Sequence, residues 1–350
     1  MHKFGTSIIG AFALAGSLMA CNDLMVHDEQ MTPLNLTYPA AFVVNGLDNT
    51  VAVIRLSENQ LSETIKLQDA VAPHHISISP DKTTLAVAIT STDLSGGHDG
   101  MDESDKSTKV IILDAVTGLV KQTLLLPSMP HNAAFNAAGN ELWIGQQNEN
   151  SGTVLVFDTG DWSIKSVITV GKNPSEVTFA TDGNLAFVAN TGDASVSVID
   201  PSSKTVLKTL QVGKDPVGAW PATDGNMYVD NESAKTVSII NVASTTVTET
   251  LALGFKPGYV AYQEDSKELW VSNATDGKVV VYQRVGDSWI KKAEVATGAD
   301  AHAIAFNSDK SLAYITNQGA GTVTVLDATT YTKVKELAIG RMPNGIVIKP

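Results

Sequence analysis

A unit of about 42 residues recurs along almost the whole chain. It is marked by a landmark that is proline in six of seven copies, and successive landmarks are 57, 44, 42, 41, 44 and 42 residues apart. The landmarks are Pro73, Pro130, Pro174, Pro216, Pro257, Ala301 and Pro343. Repeats of this length are typical of proteins in which small units stack on one another. The chain of 350 residues is therefore predicted to fold as one repeat domain rather than as two domains.

Each unit contains four short runs rich in Val, Ile and Thr, separated by clusters of Gly, Asn, Asp and Pro. Examples are VSVI from Val196 and VTVL from Val323. Such runs predict four-stranded antiparallel sheets, and no helical periodicity follows residue 40. The sequence thus predicts an all-β fold, a seven-bladed β-propeller over residues 41–350.

Counting the runs also predicts how the ring closes. The first run, residues 41–45, is the second strand of a blade, whereas the last, residues 345–349, is an innermost strand. The C-terminal strand is therefore expected to complete the N-terminal blade, which removes an exposed sheet edge.

Two further columns of the repeat are predicted to form the core. One column of aromatic residues is expected to pack between blades; it comprises Trp143, Phe187, Tyr228, Trp270 and Tyr314. The fifth residue after each landmark is expected to form a second buried layer, made of Ile78, Phe135, Phe179, Pro221, Tyr262, Phe306 and Ile348.

The segments FVANTGDASVSVID, from Phe187, and LAYITNQGAGTVTVLD, from Leu312, resemble the YVTN repeat. That resemblance spans residues 41–350 and implies a seven-bladed propeller, but the repeat occurs in lipoproteins, surface-layer proteins and some redox enzymes alike. Nitrous oxide reductase, one such enzyme, has a histidine-bound copper cluster at a propeller mouth. Its activity also needs cysteine ligands in a cupredoxin domain, and this sequence has one cysteine and no C-x-x-C-H haem motif.

The N-terminus has the pattern of an export signal. Residues 1–20 begin with a basic residue, Lys3, and continue as an apolar stretch that is short for a membrane-spanning helix. The following LMAC at residues 18–21 resembles the lipobox of bacterial lipoproteins, which implies cleavage before Cys21 and lipidation of its thiol. An ordinary signal peptide followed by a free cysteine is the alternative. We assign residues 1–20 to the signal peptide and residues 21–40 to a lipidated cysteine with a flexible tether.

Lipidation implies that the membrane is one partner, contacted through the N-terminal lipid. Asn22 favours the outer membrane over the inner one, although Asp23 weakens this indication, and the protein would face the periplasm or the cell surface. With 24 Lys and Arg against 37 Asp and Glu, the net charge of −13 argues against nucleic acid as a partner. We expect a monomer.

Candidate site residues follow the landmarks, where innermost strands begin at the mouth of the central channel. These first positions hold His74, His131, Ser175, Val217, Gly258, His302 and Asn344, and His75 lies beside His74. An acidic insertion, residues 91–107, is predicted on the same face and contributes His98, Asp99 and Asp102. The candidate ligands for a divalent transition metal are these three loop residues together with His74, His75, His131 and His302. The alternative is that the histidines bond to neighbouring loops and the insertion is merely solvated.

The sequence favours a lipid-anchored scaffold that binds a protein or a small molecule on this face, with Asn344 and Trp220 as candidate contacts. The alternative is a metal-binding protein, or a metal-dependent redox or hydrolytic enzyme, with its site at the channel mouth. Glu176 is a candidate general base, although no partner for it is evident in the sequence.

Overall fold

A computed structural model describes residues 32–92 and 108–350. This part of the chain forms 28 strands in seven four-stranded antiparallel sheets, with one short 3-10 turn at Thr191–Asp193. The sheets form the blades of a ring, which confirms the predicted seven-bladed β-propeller. Among these residues, no helix has the length and apolar character needed to span a membrane.

The strands are listed here in chain order. They are β1 (Ala40–Asn45), β2 (Thr50–Arg55), β3 (Gln60–Lys66), β4 (Pro73–Ile78), β5 (Thr84–Ile89), β6 (Lys109–Asp114), β7 (Val120–Leu125), β8 (Ala133–Phe135), β9 (Glu141–Gln146), β10 (Thr153–Asp158), β11 (Ile164–Thr169), β12 (Pro174–Phe179), β13 (Ala186–Asn190), β14 (Ser195–Asp200), β15 (Thr205–Gln211), β16 (Pro216–Pro221), β17 (Asn226–Asn231), β18 (Thr236–Asn241), β19 (Thr246–Ala252), β20 (Pro257–Gln263), β21 (Glu268–Asn273), β22 (Lys278–Val285), β23 (Ser288–Ala296), β24 (Ala301–Phe306), β25 (Leu312–Asn317), β26 (Thr322–Asp327), β27 (Lys333–Ala338) and β28 (Pro343–Lys349). Blade 1 consists of β28, β1, β2 and β3, and blades 2 to 7 each take the next four strands, from β4–β7 to β24–β27.

The ring closes as the sequence predicts. β28 pairs antiparallel with β1, and the register runs from Ala40↔Lys349 to Val43↔Ile346. The two ends of the propeller are therefore joined by a strand ladder. The Lys349 ammonium, buried beside it, donates hydrogen bonds to the backbone oxygens of Leu36 and Ala115.

The predicted tether is wrong for its last part, residues 33–39. The amides of Leu34 and Leu36 donate to the backbone oxygens of Thr117 and Val116, at 2.9 and 2.8 Å, and Leu36 is fully buried in the core between blades 1 and 2. Leu34, Leu36 and Tyr38 alternate with polar residues, but this run is short and lies between Pro33 and Pro39, so it did not reveal the packing. Cys21 and the signal peptide lie outside the described residues.

Two recurring positions of the repeat, an aromatic residue and an asparagine, stabilise the blades. The five predicted aromatic residues are all fully buried, which confirms that column. At the end of the second strand, the Asn231 side-chain amide donates to the hydroxyls of Thr236 and Ser238, both at 3.0 Å. A Cβ at Gly213 would lie 2.7 Å from the Asn231 side chain, so this glycine makes room for the asparagine.

The second predicted layer is only partly buried, although six of its seven residues pack against the core. Pro221 is exposed, and the other fifth residues are only half-buried. Each of them stands at or next to the end of its innermost strand, where the neighbouring blades cover it least. The buried positions lie two residues earlier, as at Val177, Ala219 and Val260.

Candidate metal centre

The innermost strands begin with irregular backbone, and this irregularity shapes the site. Pairing of β4 with β5 steps from Pro73↔Ile89 to Ile76↔Val87, so three steps along β4 oppose two along β5. Such a bulge redirects side chains. His74 and His75, which would point to opposite faces of a regular strand, have ring centroids only 4.5 Å apart.

Three histidines form a cluster, and they come from blade 2 and the start of blade 3. The ring of His131 lies 4.7 Å from that of His74 and 5.0 Å from that of His75, between centroids. One ring nitrogen from each lies within 4.8 Å of the others, and all three side chains are buried. The cluster thus combines two of the predicted equivalent histidines with the adjacent His75.

Glu176 of β12 connects two members of this cluster. One of its carboxylate oxygens, Oε1, lies 2.6 Å from His131 Nδ1 and 3.2 Å from His75 Nε2. The Glu176 side chain is almost completely buried. The sequence identified this residue without a partner, and the structure provides two. A carboxylate that holds one imidazole nitrogen orients the other nitrogen towards a metal.

His302 lies at the edge of the cluster. Its ring centroid is 6.1 Å from that of His74 and 6.0 Å from that of His75, and it is half-buried. Asn344 is buried in a different network, where it accepts a hydrogen bond from Gln318 and donates one to the Pro73 backbone oxygen.

The acidic insertion begins next to the cluster. Thr90 donates to the Ala72 backbone oxygen through its hydroxyl, at 2.7 Å, and Ser91 donates to that of Val71 at 3.0 Å. Residues 93–107, with His98, Asp99 and Asp102, lie outside the described residues. Because Ala72 lies two positions before His74 in the chain, Thr90 and Ser91 at the start of the insertion are close to His74.

Beneath the cluster, the central channel contains a cavity of about 290 Å³. Its wall includes the second residue after the landmark in five blades, namely His75, Asn132, Glu176, Tyr259 and Ala303. The sequence singled out His75 and Glu176 individually, but not the column to which they belong. Its mixture of His, Asn, Glu and Tyr is the signal that would have revealed it.

Trp220 also lines this cavity. Its indole covers Gly218, where a Cβ would lie 2.3 Å from the ring, and its centroid is 3.9 Å from that of Tyr259. Its Nε1 donates to Asp230 Oδ1 at 2.7 Å. Asp230 is fully buried, and this burial raises the pKa of its carboxyl to about 8.

Comparison with known proteins places the chain among propellers. Residues 131–275 match the model of the choice-of-anchor I domain. The uncharacterized protein YncE of Salmonella typhimurium strain LT2 is 24% identical over 269 residues, which cover 70% of this chain and 72% of YncE.

Two solved structures show the same fold. The periplasmic gluconolactonase PpgL of Pseudomonas aeruginosa aligns with a TM-score of 0.71 at 15% identity, over 89% of this chain and 99% of PpgL. Hydrazine synthase of Kuenenia stuttgartiensis aligns with a TM-score of 0.64 at 20% identity, over 78% of this chain and 88% of the other. At these identities the likeness concerns the fold alone.

Proposed function

We propose that this protein is an exported β-propeller that binds a divalent transition metal ion at its channel mouth through His74, His75 and His131. The observation that carries the proposal is the convergence of three buried imidazoles within 4.8 Å. Imidazole nitrogen suits zinc, copper, nickel and iron, and such bonds are about 2.0–2.1 Å long for zinc. Small rotations of the three rings would bring their nitrogens to that distance from one ion.

A metal ion binds imidazole in its neutral form. Glu176 accepts from His131 and His75 and supplies one negative charge beside the ion. Its role is to position the two rings, so the metal would not depend on Glu176 as a ligand.

The proposed location is outside the cytoplasm. The signal pattern of residues 1–20 supports it, as does the likeness to a periplasmic gluconolactonase.

The finer proposal is a lipid anchor at Cys21 in the outer membrane. Cys21→Ala should then release the protein from membranes, and a variant that still sediments with them would count against it. The partner that docks at the channel mouth is proposed to be a protein or a small molecule, not nucleic acid.

The metal proposal is tested by elemental analysis of protein purified without an affinity tag and incubated with zinc, copper or nickel. We expect about one ion per chain. The double variant His74→Ser, His131→Ser carries at both positions the residue that blade 4 has there, Ser175, and should lose the ion. Glu176→Gln should keep the site but lower its affinity about 10- to 100-fold, as loss of a supporting carboxylate does.

Ser175→Ala is the matched control, because it alters the equivalent position of a blade that gives no histidine. It should retain the ion. The proposal is wrong if the unmutated protein holds no stoichiometric metal after this incubation, or if the double variant, folded by circular dichroism, holds as much.

A further inference from the structure

A second cleft lies between blades 5 and 6, and the metal centre does not use it. It has a volume of about 420 Å³, within the range of small-molecule sites, roughly 300–1,000 Å³. It is lined by residues of the β16–β17 turn of blade 5, and of the β20–β21 turn and the β22–β23 hairpin of blade 6. Alternation of strand direction places these turns on the face opposite the histidine cluster.

The cleft arises where the chain departs from its repeat. β22 and β23 have 8 and 9 residues, whereas most strands have six. The extra length forms a hairpin in which Arg284 pairs with Trp289, and both residues line the cleft. Departures from a repeated scaffold are where binding residues are expected.

The core aromatic residue of blade 5 also differs from two of its counterparts. In blades 3 and 6 the equivalent residue is a tryptophan, Trp143 or Trp270, whose indole donates to a buried glutamate two positions earlier. Blade 5 has Tyr228 and, two positions earlier, Asn226. A smaller ring and a neutral side chain leave space that the other two junctions fill.

Two partly exposed rings, Tyr262 and Trp289, form the apolar wall of this space, and the buried ring of Tyr228 contacts both. Tyr228 and Tyr262 are nearly parallel, with centroids 5.8 Å apart and planes at 11°. Trp289 stands almost perpendicular to Tyr228, with centroids 6.0 Å apart. Such rings combine a broad apolar face with a polar edge, and they suit a ligand whose ring presents C–H groups on its face.

The polar groups of the cleft carry both charges in balance. Asp224 accepts a hydrogen bond from the Tyr228 hydroxyl at 2.7 Å, and Glu249 pairs with Arg284 at 2.7 Å. Lys267 supplies the second cation. An anionic ligand would meet the two carboxylates and a cationic one would meet Arg284 and Lys267, so neither sign of charge is favoured.

One donor in the cleft has no protein acceptor. Trp289 Nε1 is buried and has no hydrogen-bond partner among the described residues. A buried N–H that stays unpaired costs free energy, which an acceptor on a bound ligand would recover. Hydroxyl groups both accept and donate, so they match this indole and the carboxylates at once.

We infer that this cleft binds a neutral carbohydrate, a monosaccharide or short oligosaccharide whose ring stacks on the aromatic wall. Its hydroxyls accept from Trp289 Nε1 and Arg284 and donate to Asp224 and Glu249. The site is separate from the metal centre and does not depend on it.

The test is saturation-transfer NMR on the full chain with glucose, galactose and mannose, their β-linked disaccharides, and two charged analogues, glucosamine and glucuronate. We expect saturable binding of at least one neutral sugar, with at least tenfold weaker binding of both charged analogues. Trp289→Leu should weaken the neutral sugar at least tenfold, because it removes both the ring and its N–H. Arg284→Gln, at a partly exposed position, tests the same site without a change in the core.

Two variants serve as controls. Trp220→Leu removes a tryptophan from the central channel, and His131→Ser alters the metal centre, so both should leave sugar binding unchanged. The inference is overturned if no neutral sugar gives saturable binding, if a charged analogue binds as tightly as its neutral counterpart, or if affinity survives both Trp289→Leu and Arg284→Gln. Loss of metal in His131→Ser with sugar binding intact would separate this inference from the metal proposal.

Discussion

Two columns of the same repeat differ in how much their residue type varies from blade to blade. The strand-end position is asparagine in five blades, at Asn45, Asn190, Asn231, Asn273 and Asn317. The channel position, the second residue after the landmark, is different in nearly every blade and comprises His75, Asn132, Glu176, Gly218, Tyr259, Ala303 and Gly345. The first column bonds mainly to hydroxyls of its own blade, as at Asn190, Asn231 and Asn317, whereas the second faces the channel. The comparison teaches that repetition is kept where the side chain bonds within the blade framework and is lost where side chains of different blades meet around the channel.

The largest expected effect comes from breaking the ring itself. Deleting residues 341–350 removes β28, which leaves the ladder edge of β1 without its partner. We expect loss of the single cooperative transition in calorimetry, because blade 1 then has three strands. Removal of Pro350 alone, which lies beyond β28, is the control and should melt like the full chain. A ten-residue truncation that also melts like the full chain would contradict the closure mechanism.

A smaller effect should separate the two columns. Asn317 donates to the hydroxyls of Thr322 and Thr324, at 3.0 and 2.9 Å. Asn317→Ala should lower the free energy of unfolding by about 1–3 kcal/mol, as expected when buried polar groups lose their partner. Tyr259→Phe, which removes one hydroxyl from the channel column, should cost less. Urea denaturation measures both, and equal losses would mean that the columns do not differ as described.

A further effect is a change in pH dependence beside the channel column. Burial raises the pKa of Asp230 to about 8 from an ordinary 3.8. Between these values the folded protein keeps a proton that the unfolded chain releases, so this group makes stability fall as pH rises from about 4 to about 8. Asn has no carboxyl proton, so the Asp230→Asn variant does not lose stability in this way. It should therefore gain stability relative to the unmutated protein as pH rises across this range.

Urea titrations at pH 5, 6, 7 and 8 measure this gain. Asp287→Asn, an exchange at an exposed position, is the control and should run parallel to the unmutated protein. If the Asp230→Asn curve is parallel as well, Asp230 keeps no extra proton in the folded state.

The period and the alternation of apolar residues were sufficient to predict the architecture. They depend on local backbone preference and on side chains that point alternately to opposite faces. The pattern is repeated in each of the seven copies. Closure by residues 345–349 and burial of the aromatic column followed from counting alone. The meeting of His74 with His131 followed from equivalent positions in neighbouring blades.

The remaining features depend on departures from that pattern. A bulge at Pro73–Ile76 brings His75 to the same place as His74, which strict alternation excludes. The bond between Glu176 and His131 joins residues 45 positions apart in different blades, and its geometry depends on the channel radius. Leu36 lies in an alternating run of only five residues between two prolines, too short to be distinguished from a tether. The cleft under the β22–β23 hairpin has no periodic signal at all.

The pairing of β28 with β1 also determines when blade 1 can be completed during folding. Val43 pairs with Ile346, about three hundred residues further along the chain, so blade 1 stays incomplete until the last residues are present. Until then, the edge of β1 is open to any other strand, and contacts of such long sequence separation form slowly. Before residues 343–349 have docked, the propeller therefore has a first blade that is still a three-stranded sheet, exposed to mispairing with other chains.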